Sequence, residues 1–449
     1  MKQHDIQRRE FLRRMGIGSM VLGSGLGLTN VLAKTDDGFL VENQDQYGQT
    51  PVEILSGKEF PYQVNPDRLD SMKERMNVFS RNGWDPIRRK EMQKAMDEQG
   101  GKGIFELNMI DGKGKNPNQT RLDYAFMQAS WGTAHMGPFY EWETKASSIK
   151  QLAALGKWNP NELDMDWDDL SLAVKHAGLF YGASLAGISK YNPLWVYSEY
   201  IDEASGNKTI PKNIKSVIAL AFEEDYDGIT NSPGRLASAA TGDGYSRMAV
   251  TSFKLAEFIR ALGYTAIPAG NGTALSIPIA IDAGLGELGR NGLIVTPKYG
   301  PRVRLAKVFT DMPLTPDPPI RFGVKEFCDA CMVCAEDCPT GSISKEEQTW
   351  EGTSVSNNPG VKKWYVKPEA CYDYNGFSCS NCKRNCPFNK PNNSWVHQLI
   401  RKNINIKSQN LDKFMVKLDQ ASGYGEQTQS PEFWEKSGEA SIYSRDPKV

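Results

Sequence analysis

The chain has no surplus of either charge: 53 lysines and arginines stand against 54 aspartates and glutamates, a formal net charge of −1. That balance argues against a surface built to bind nucleic acid. Outside the N-terminus there is no run of about 18 apolar residues, the length a membrane-spanning helix needs. Histidine is scarce, with four in 449 residues (His4, His135, His176 and His397), and none stands two positions after an aspartate. Cysteine is missing from residues 1–327 and again from 387–449. All eight cysteines fall within 328–386.

Those eight form two groups. Cys328, Cys331, Cys334 and Cys338-Pro339 read C-x2-C-x2-C-x3-C-P, and Cys371, Cys379, Cys382 and Cys386-Pro387 repeat the pattern with a longer first gap. Three thiolates on one tight loop cap three corners of an iron–sulfur cube, and the fourth, before proline, reaches the other cube. The expected ligands are Cys328, Cys331, Cys334 and Cys386 for one [4Fe-4S] cluster, and Cys371, Cys379, Cys382 and Cys338 for the second. Structural zinc sites lack the x2-x2-x3-proline spacing, and it would be odd for a disulfide framework. The chain is expected to move electrons, with the rest of it holding their acceptor.

Its length, 449 residues, allows two or three domains. Arg8-Arg9-Glu10-Phe11-Leu12 precedes a weakly apolar stretch ending in Val31-Leu32-Ala33, the pattern of a twin-arginine export signal over 1–33. Glycines at 16, 18, 23, 25 and 27 make a retained helical anchor the poorer reading. Cleavage after Ala33 leaves 48 basic and 52 acidic residues, a net charge near −4. Export of an already folded chain suits clusters that are inserted in a reducing cytoplasm.

Residues 34–165 read as an N-terminal unit without a chemical motif. Helical periodicity shows at 67–79 and 147–155, and Trp84, Phe126, Trp131, Phe139, Tyr140 and Trp142 read mostly as core. The spacing of LSLAVKHAGLFYGASLAGI predicts a helix over 170–188, KSVIALAF a buried strand over 215–222, and residues 248–262 an amphipathic helix ended by Gly263. Further strands are expected at 264–268, 293–296 and 303–309. Gly284-x-Gly286-x-x-Gly289 matches a dinucleotide fingerprint in letters only. The apolar 278–283 stretch precedes it and a strand-like segment follows almost at once, which does not fit a βαβ unit. Together with Gly270 and Gly272, these glycines suit a backbone lying against a large flat ligand.

The order of export signal, FIRALGYTAIP, AGLGELGRNGLIVTPKYGPRVRL, FTDMPL and two ferredoxin motifs closely resembles the corrinoid- and iron–sulfur-dependent reductive dehalogenases of organohalide-respiring bacteria. The likeness covers nearly the whole chain and is strongest over 245–387. It implies an α+β fold with a nitroreductase-like corrinoid-binding core over 166–320, carrying an insertion near 190–213. It also implies a ferredoxin-like module over 321–390 and a segment, 391–449, that closes the core. The implied cofactor beside the clusters is a cobamide bound base-off, without an axial histidine; the absence of any D-x-H-x-x-G arrangement agrees with this. The implied catalytic trio carries over as Tyr245 in GDGY, Asn271 in AGNG and Arg304 in RVRL. In those roles Tyr245 donates a proton, Arg304 stabilises the phenolate, and Asn271 holds the halogen or the substrate. Gly270, Asn271, Gly272, Gly284, Gly286 and Gly289 would bind the cofactor. On the residues alone the plainer readings are a core aromatic at a helix start for Tyr245, a sheet-edge ion pair for Arg304 and a turn residue for Asn271.

The implied reaction is R–X + 2e⁻ + H⁺ → R–H + X⁻, with the reducing power coming from cobalt(I) in the cofactor. Its implied setting is the outer face of the cytoplasmic membrane. The partners would be a small organohalide, a small membrane-anchor protein and a membrane-side electron donor, with no nucleic acid; a homodimer is compatible. Trp364 and Trp395, close to the cysteines in sequence, are candidate pocket walls. Two alternatives remain open. Epoxyqueuosine reductase has a similar core and clusters, but the export signal, the charge balance and the tyrosine at the acid position oppose it. An exported ferredoxin-type carrier would bind no cobalt.

Overall fold

In the computed structural model the described residues are 40–98, 121–134, 166–198 and 210–435, apart from a few short stretches within these ranges. The export signal, the periodic segment at 147–155 and the aromatics Phe139, Tyr140 and Trp142 lie outside them. In chain order, the elements that shape the site begin with helices α1 (Arg121–Ser130) and α2 (Trp167–Phe180) and strands β1 (Leu185–Lys190) and β2 (Ser216–Glu223). Helix α3 (Arg235–Ala261), strand β3 (Ala266–Ala269), helix α4 (Ser276–Asp282) and strand β4 (Val303–Thr310) follow. The strands form one antiparallel sheet in the order β1-β2-β4-β3, with Phe222 opposite Arg304.

Helices cover both faces of this sheet, so β2 is buried along its whole length. Ile218, Leu220 and Phe222 pack with Met248, Leu255 and Ile259 of α3 and Val174 of α2. Val217, Ala219 and Ala221 pack with Ile279 and Ile281 of α4. A strand buried on both faces needs an unbroken apolar run, which is why KSVIALAF does not alternate.

Two expected elements differ in their bounds. The helix expected over 170–188 stops at Phe180, because Gly182 takes a left-handed turn (φ 119°) and Leu185–Lys190 becomes β1. Gly187 serves that strand: a Cβ there would sit 2.2 Å from the Ala283 carbonyl oxygen, so the small residues let β1 lie against the end of α4. Helix α3 begins at Arg235, well ahead of the expected Met248, and its first half holds Gly242 and Gly244. Over 67–79 the chain makes a short 3-10 turn (Glu74–Met76) before a helix at Val78–Trp84, capped by the Asn77 side chain.

Helices α5 (Val324–Cys331), α6 (Trp395–Asn403) and α7 (Gln409–Ala421) belong to a third packed region. There Phe322, Phe327, Phe388, Val396, Ile400 and Met415 surround Cys386. Helices α6 and α7, in the segment expected to close the core, therefore pack on the cysteine region, while Ser430 and Trp434 further on donate to Asp123 of α1. The same segment reaches the core through Arg401, which donates to the Lys298 carbonyl, and through Gln427 and Thr428, which bond Asn231 and Thr230. The N-terminal unit is likewise stitched in: Val52–Ile54 pairs with Ile320–Arg321, and Gln63–Val64 with Val361–Lys362. Arg81 and Arg88, both buried, bind Glu369 and Asp373. Among the described residues no helix is long and apolar enough to cross a membrane.

Candidate active site

The three residues expected to act together do meet. Tyr245 lies within α3, not at its start, and its hydroxyl oxygen accepts from Asn271 Nδ2 at 2.7 Å and from an Arg304 terminal nitrogen at 3.4 Å. The Arg304 guanidinium also lies 4.8 Å from the centre of the Tyr245 ring. From the other side Trp131, just past α1, stacks on that ring at 5.1 Å and 26° and donates from Nε1 to the Ser238 carbonyl at 3.1 Å. Glycines make this closeness possible. A Cβ on Gly242 would stand 2.5 Å from the Trp131 ring, and one on Gly244 would stand 2.8 Å from Arg304 Cγ. Each glycine costs about 1 kcal/mol of helix propensity. If the reaction implied by the resemblance holds, Gly244→Ala is expected to leave the fold intact while displacing Arg304 and lowering halide release at least tenfold, measured alongside thermal unfolding; unchanged release would show that the space is not needed.

Arg304 is anchored by a group that no sequence motif marked. Its Nε donates to Glu224 Oε1 at 2.9 Å, and Thr241 Oγ1 donates to the same oxygen at 3.2 Å. The other carboxylate oxygen of Glu224 takes Lys383 Nζ. Burial alone would raise the Glu224 carboxyl, but Lys383 and Arg304 outweigh it and hold it at about 2. Burial and the nearby Arg304 draw the Lys383 ammonium down to about 8, opposed by Glu224. A part-buried guanidinium and a buried ammonium thus share one buried anion beside Tyr245.

Asn271 sits on the β3–α4 loop. Lys307 of β4, buried beneath, donates to the Gly270 carbonyl at 2.5 Å and to Ser276 Oγ at 2.9 Å. Burial lowers its ammonium to about 7. Thr273 is held at φ 73°, a strained conformation for a β-branched residue. The loop is therefore a braced rather than a slack connection.

Asn271 and Gly272 open onto a cavity of about 570 Å³, whose walls include Trp195, Tyr197, Ile277, Leu288, Trp364 and Tyr365. Asn77, Asn357 and Asn358 border the same cavity; the Asn77 and Asn357 amides are engaged by the chain itself, whereas the buried Asn358 Oδ1 has no partner among the described residues. Aromatic walls beside an unpartnered side-chain oxygen, that of Asn358, suit a large flat macrocycle that carries amide side arms, so the residues fit a corrinoid. The two described histidines do not line this cavity: His176 is exposed on α2, and His397 is buried in α6. Trp364 takes the place foreseen for it, while Trp395 is on the surface.

Behind that wall lie the thiols. Cys328, Cys331, Cys334 and Cys386 line one small pocket together with Gly289, Arg290 and Phe388. Cys371, Cys379 and Cys382 each lie within electrostatic reach of Cys338. Burial pushes the Cys328 thiol up to about 12 and those of Cys386 and Cys371 to about 11. Such thiols stay ionised only with a bound cationic partner, which is what iron supplies. Arg290 joins the two regions, donating to the Cys328 and Ser344 carbonyls at 3.0 and 2.9 Å while its guanidinium lies 4.4 Å from the Trp364 ring.

The glycine segment needs correction. Gly284 (φ 73°) faces the Pro318 carbonyl at 2.6 Å and Gly286 the Val295 carbonyl at 2.2 Å, distances measured from the Cβ each lacks. The chain's own backbone requires these glycines, and neither lines the cavity. Gly289 borders the thiol pocket instead, and Gly270 is occupied by Lys307. Only Gly272 and Asn271 of that set face the cavity. Glu287–Leu288 and Ile294–Val295 pair as a small antiparallel hairpin, so G-x-G-x-x-G opens no βαβ unit.

The 4Fe-4S dicluster domain family matches residues 327–390. The chain is 38% identical over 307 residues to the tetrachloroethene reductive dehalogenase of Desulfitobacterium hafniense, covering 58% of this chain and 54% of that one. To the tetrachloroethene reductive dehalogenase of Sulfurospirillum multivorans it is 30% identical over 495 aligned positions, covering 99% of this chain and 96% of that one. Among solved structures, a reductive dehalogenase whose structure suggests a mechanism for B12-dependent dehalogenation superposes with a TM-score of 0.60 at 20% identity, over 83% of this chain. A catabolic reductive dehalogenase in complex with 3-bromo-4-hydroxybenzoic acid gives a TM-score of 0.58 at 21% identity, over 82% of this chain. The chain spans about half the length of these two solved proteins, 49% and 48%.

Proposed function

The chain belongs to the reductive dehalogenases, enzymes that act on carbon–halogen bonds, and we propose that it removes halide from a small organohalide by two-electron reduction, R–X + 2e⁻ + H⁺ → R–H + X⁻. The observation that carries this reading is the direction of the hydrogen bonds at Tyr245. Asn271 and Arg304 both donate to its oxygen. The phenolic hydrogen is left to point elsewhere, as a proton donor to substrate requires. Once that proton leaves, the Arg304 guanidinium and the Asn271 amide already face the oxygen where negative charge develops.

A cobamide in the Asn271–Gly272 cavity would supply the low-valent cobalt that delivers electrons to the carbon–halogen bond. Trp195, Tyr197, Trp364 and Tyr365 would flank it and keep water out. The two thiol groups would hold the [4Fe-4S] clusters: Cys328, Cys331, Cys334 and Cys386 one, Cys371, Cys379, Cys382 and Cys338 the other. Cys382 is followed by Lys383, which meets Glu224, so the second cluster would lie beside the trio's anchor. The relatives named for tetrachloroethene make chlorinated ethenes the first substrates to try. On the same reading residues 1–33 direct export, and the enzyme works at the outer membrane face with a small anchor protein and a membrane-side donor.

The test is anaerobic protein carrying both clusters and a cobamide, given reduced viologen and a panel of chlorinated ethenes, ethanes, methanes and phenols. Halide release that depends on the cobamide is expected with at least one class. Release that is equally fast without cobamide, or none with any class at full cofactor load, would overturn the reading.

A further inference from the structure

Glu224 and Lys383 lie outside the trio, yet the trio's geometry runs through them. Glu224 is fully buried just past the end of β2, where it meets Arg304 at the start of β4. Its two oxygens are divided between cations from distant parts of the chain, Arg304 and Lys383. Lys383 follows Cys382 directly, and the Cys382 thiol lies within electrostatic reach of both cations. The Lys383 and Glu224 side chains are almost entirely buried, so water screens their charges little.

We propose that Glu224 and Lys383 are positioning residues that join the proton-donating trio and the Cys382 cluster into one electrostatic unit. Lys383 stabilises an electron added to that cluster. Glu224 offsets the repulsion between Lys383 and Arg304 and keeps the guanidinium aimed at the Tyr245 oxygen. The Arg304–Glu224–Lys383 set carries a net charge of one positive unit. Without Lys383 the set is neutral, and an electron arriving at Cys382 is less welcome. Removing Glu224 as well returns the net charge to one positive unit. The inference rests on the function proposed above and extends it to the link between electron and proton delivery.

The experiment is a redox titration followed by electron paramagnetic resonance, on anaerobic, corrinoid-free protein whose iron content is measured first. In Lys383→Met the midpoint potential of the Cys382 cluster should shift to more negative values, with the other cluster moving much less. In the double variant Lys383→Met with Glu224→Gln the shift should largely reverse, a recovery that a merely structural role does not produce. Glu224→Asp keeps every charge but shortens the reach. It should leave the potential near that of the wild type while halide release from the cobamide-loaded enzyme falls at least tenfold. Potentials unchanged in Lys383→Met with both clusters intact would overturn the proposal, as would a double variant displaced as far as the single one. Full turnover in Glu224→Asp would overturn it too, and that arm does not depend on Lys383→Met assembling. Wild-type protein that takes up no iron would overturn the proposed function along with it.

Discussion

Tyr245→Phe is expected to lower dehalogenation by about 10²- to 10⁴-fold, the range lost with a positioned general acid. The substitution removes one oxygen and keeps the ring. Trp131 can still stack on it, and the α3 backbone is unchanged. What is lost is the acceptor that Asn271 and Arg304 address and the proton they leave free. Iron content, cobamide uptake and thermal unfolding should match the wild type, and reduction of the bound cofactor should proceed normally. Turnover within a few-fold of wild type would remove Tyr245 from the role of proton donor. The proton would then have to come from water or another side chain.

Arg304→Lys is the second large effect, although it conserves charge. The guanidinium works in three directions: Nε to Glu224, one terminal nitrogen to Tyr245 and the other toward Thr241 at 3.5 Å. A lysine ammonium is a point donor on a flexible stem and cannot span Glu224 and Tyr245 together. Turnover should fall by about 10²-fold or more, comparable to losing one preorganised donor from a transition-state site. Arg304→Met should add a stability loss of roughly 3 kcal/mol, because Glu224 keeps only one of its two cationic partners in a buried setting. Halide-release assays paired with chemical denaturation separate the two effects. A lysine variant with wild-type turnover would show that charge alone suffices.

Much of the scaffold was legible because its signals are local. Strand β2 stands out by its unbroken apolar run and β4 by its alternation, and the proline-terminated cysteine runs carry their own spacing. The first half of α3 lies outside the expected helix; glycine disfavours helix, yet Gly242 and Gly244 there admit Trp131 and Arg304. Residues 185–188 read as more helix because small residues suit close packing in either state; the turn at Gly182 and the approach of Ala283 decide for strand. The glycines at 284 and 286 pointed to a ligand but answer to carbonyls of the chain itself.

The site was legible only where resemblance supplied motifs. Trp131, Glu224, Lys307 and Lys383 carry no spacing relative to Tyr245, and they come to it only through the tertiary fold. Lys383 was in view all along, in the three-residue gap between Cys382 and Cys386. In a cysteine motif that gap reads as filler. A buried cation meeting a carboxylate from the sheet is a property of packing, which composition and periodicity do not encode.

The most direct test of the whole reading is cofactor stoichiometry in one preparation. Anaerobically reconstituted protein should hold about eight irons and, after incubation with a cobamide and removal of the excess, one cobalt per chain. The Trp364 wall predicts a loss of that cobalt in Trp364→Ala with the iron retained. Protein with its full iron complement that retains no cobalt would contradict the account.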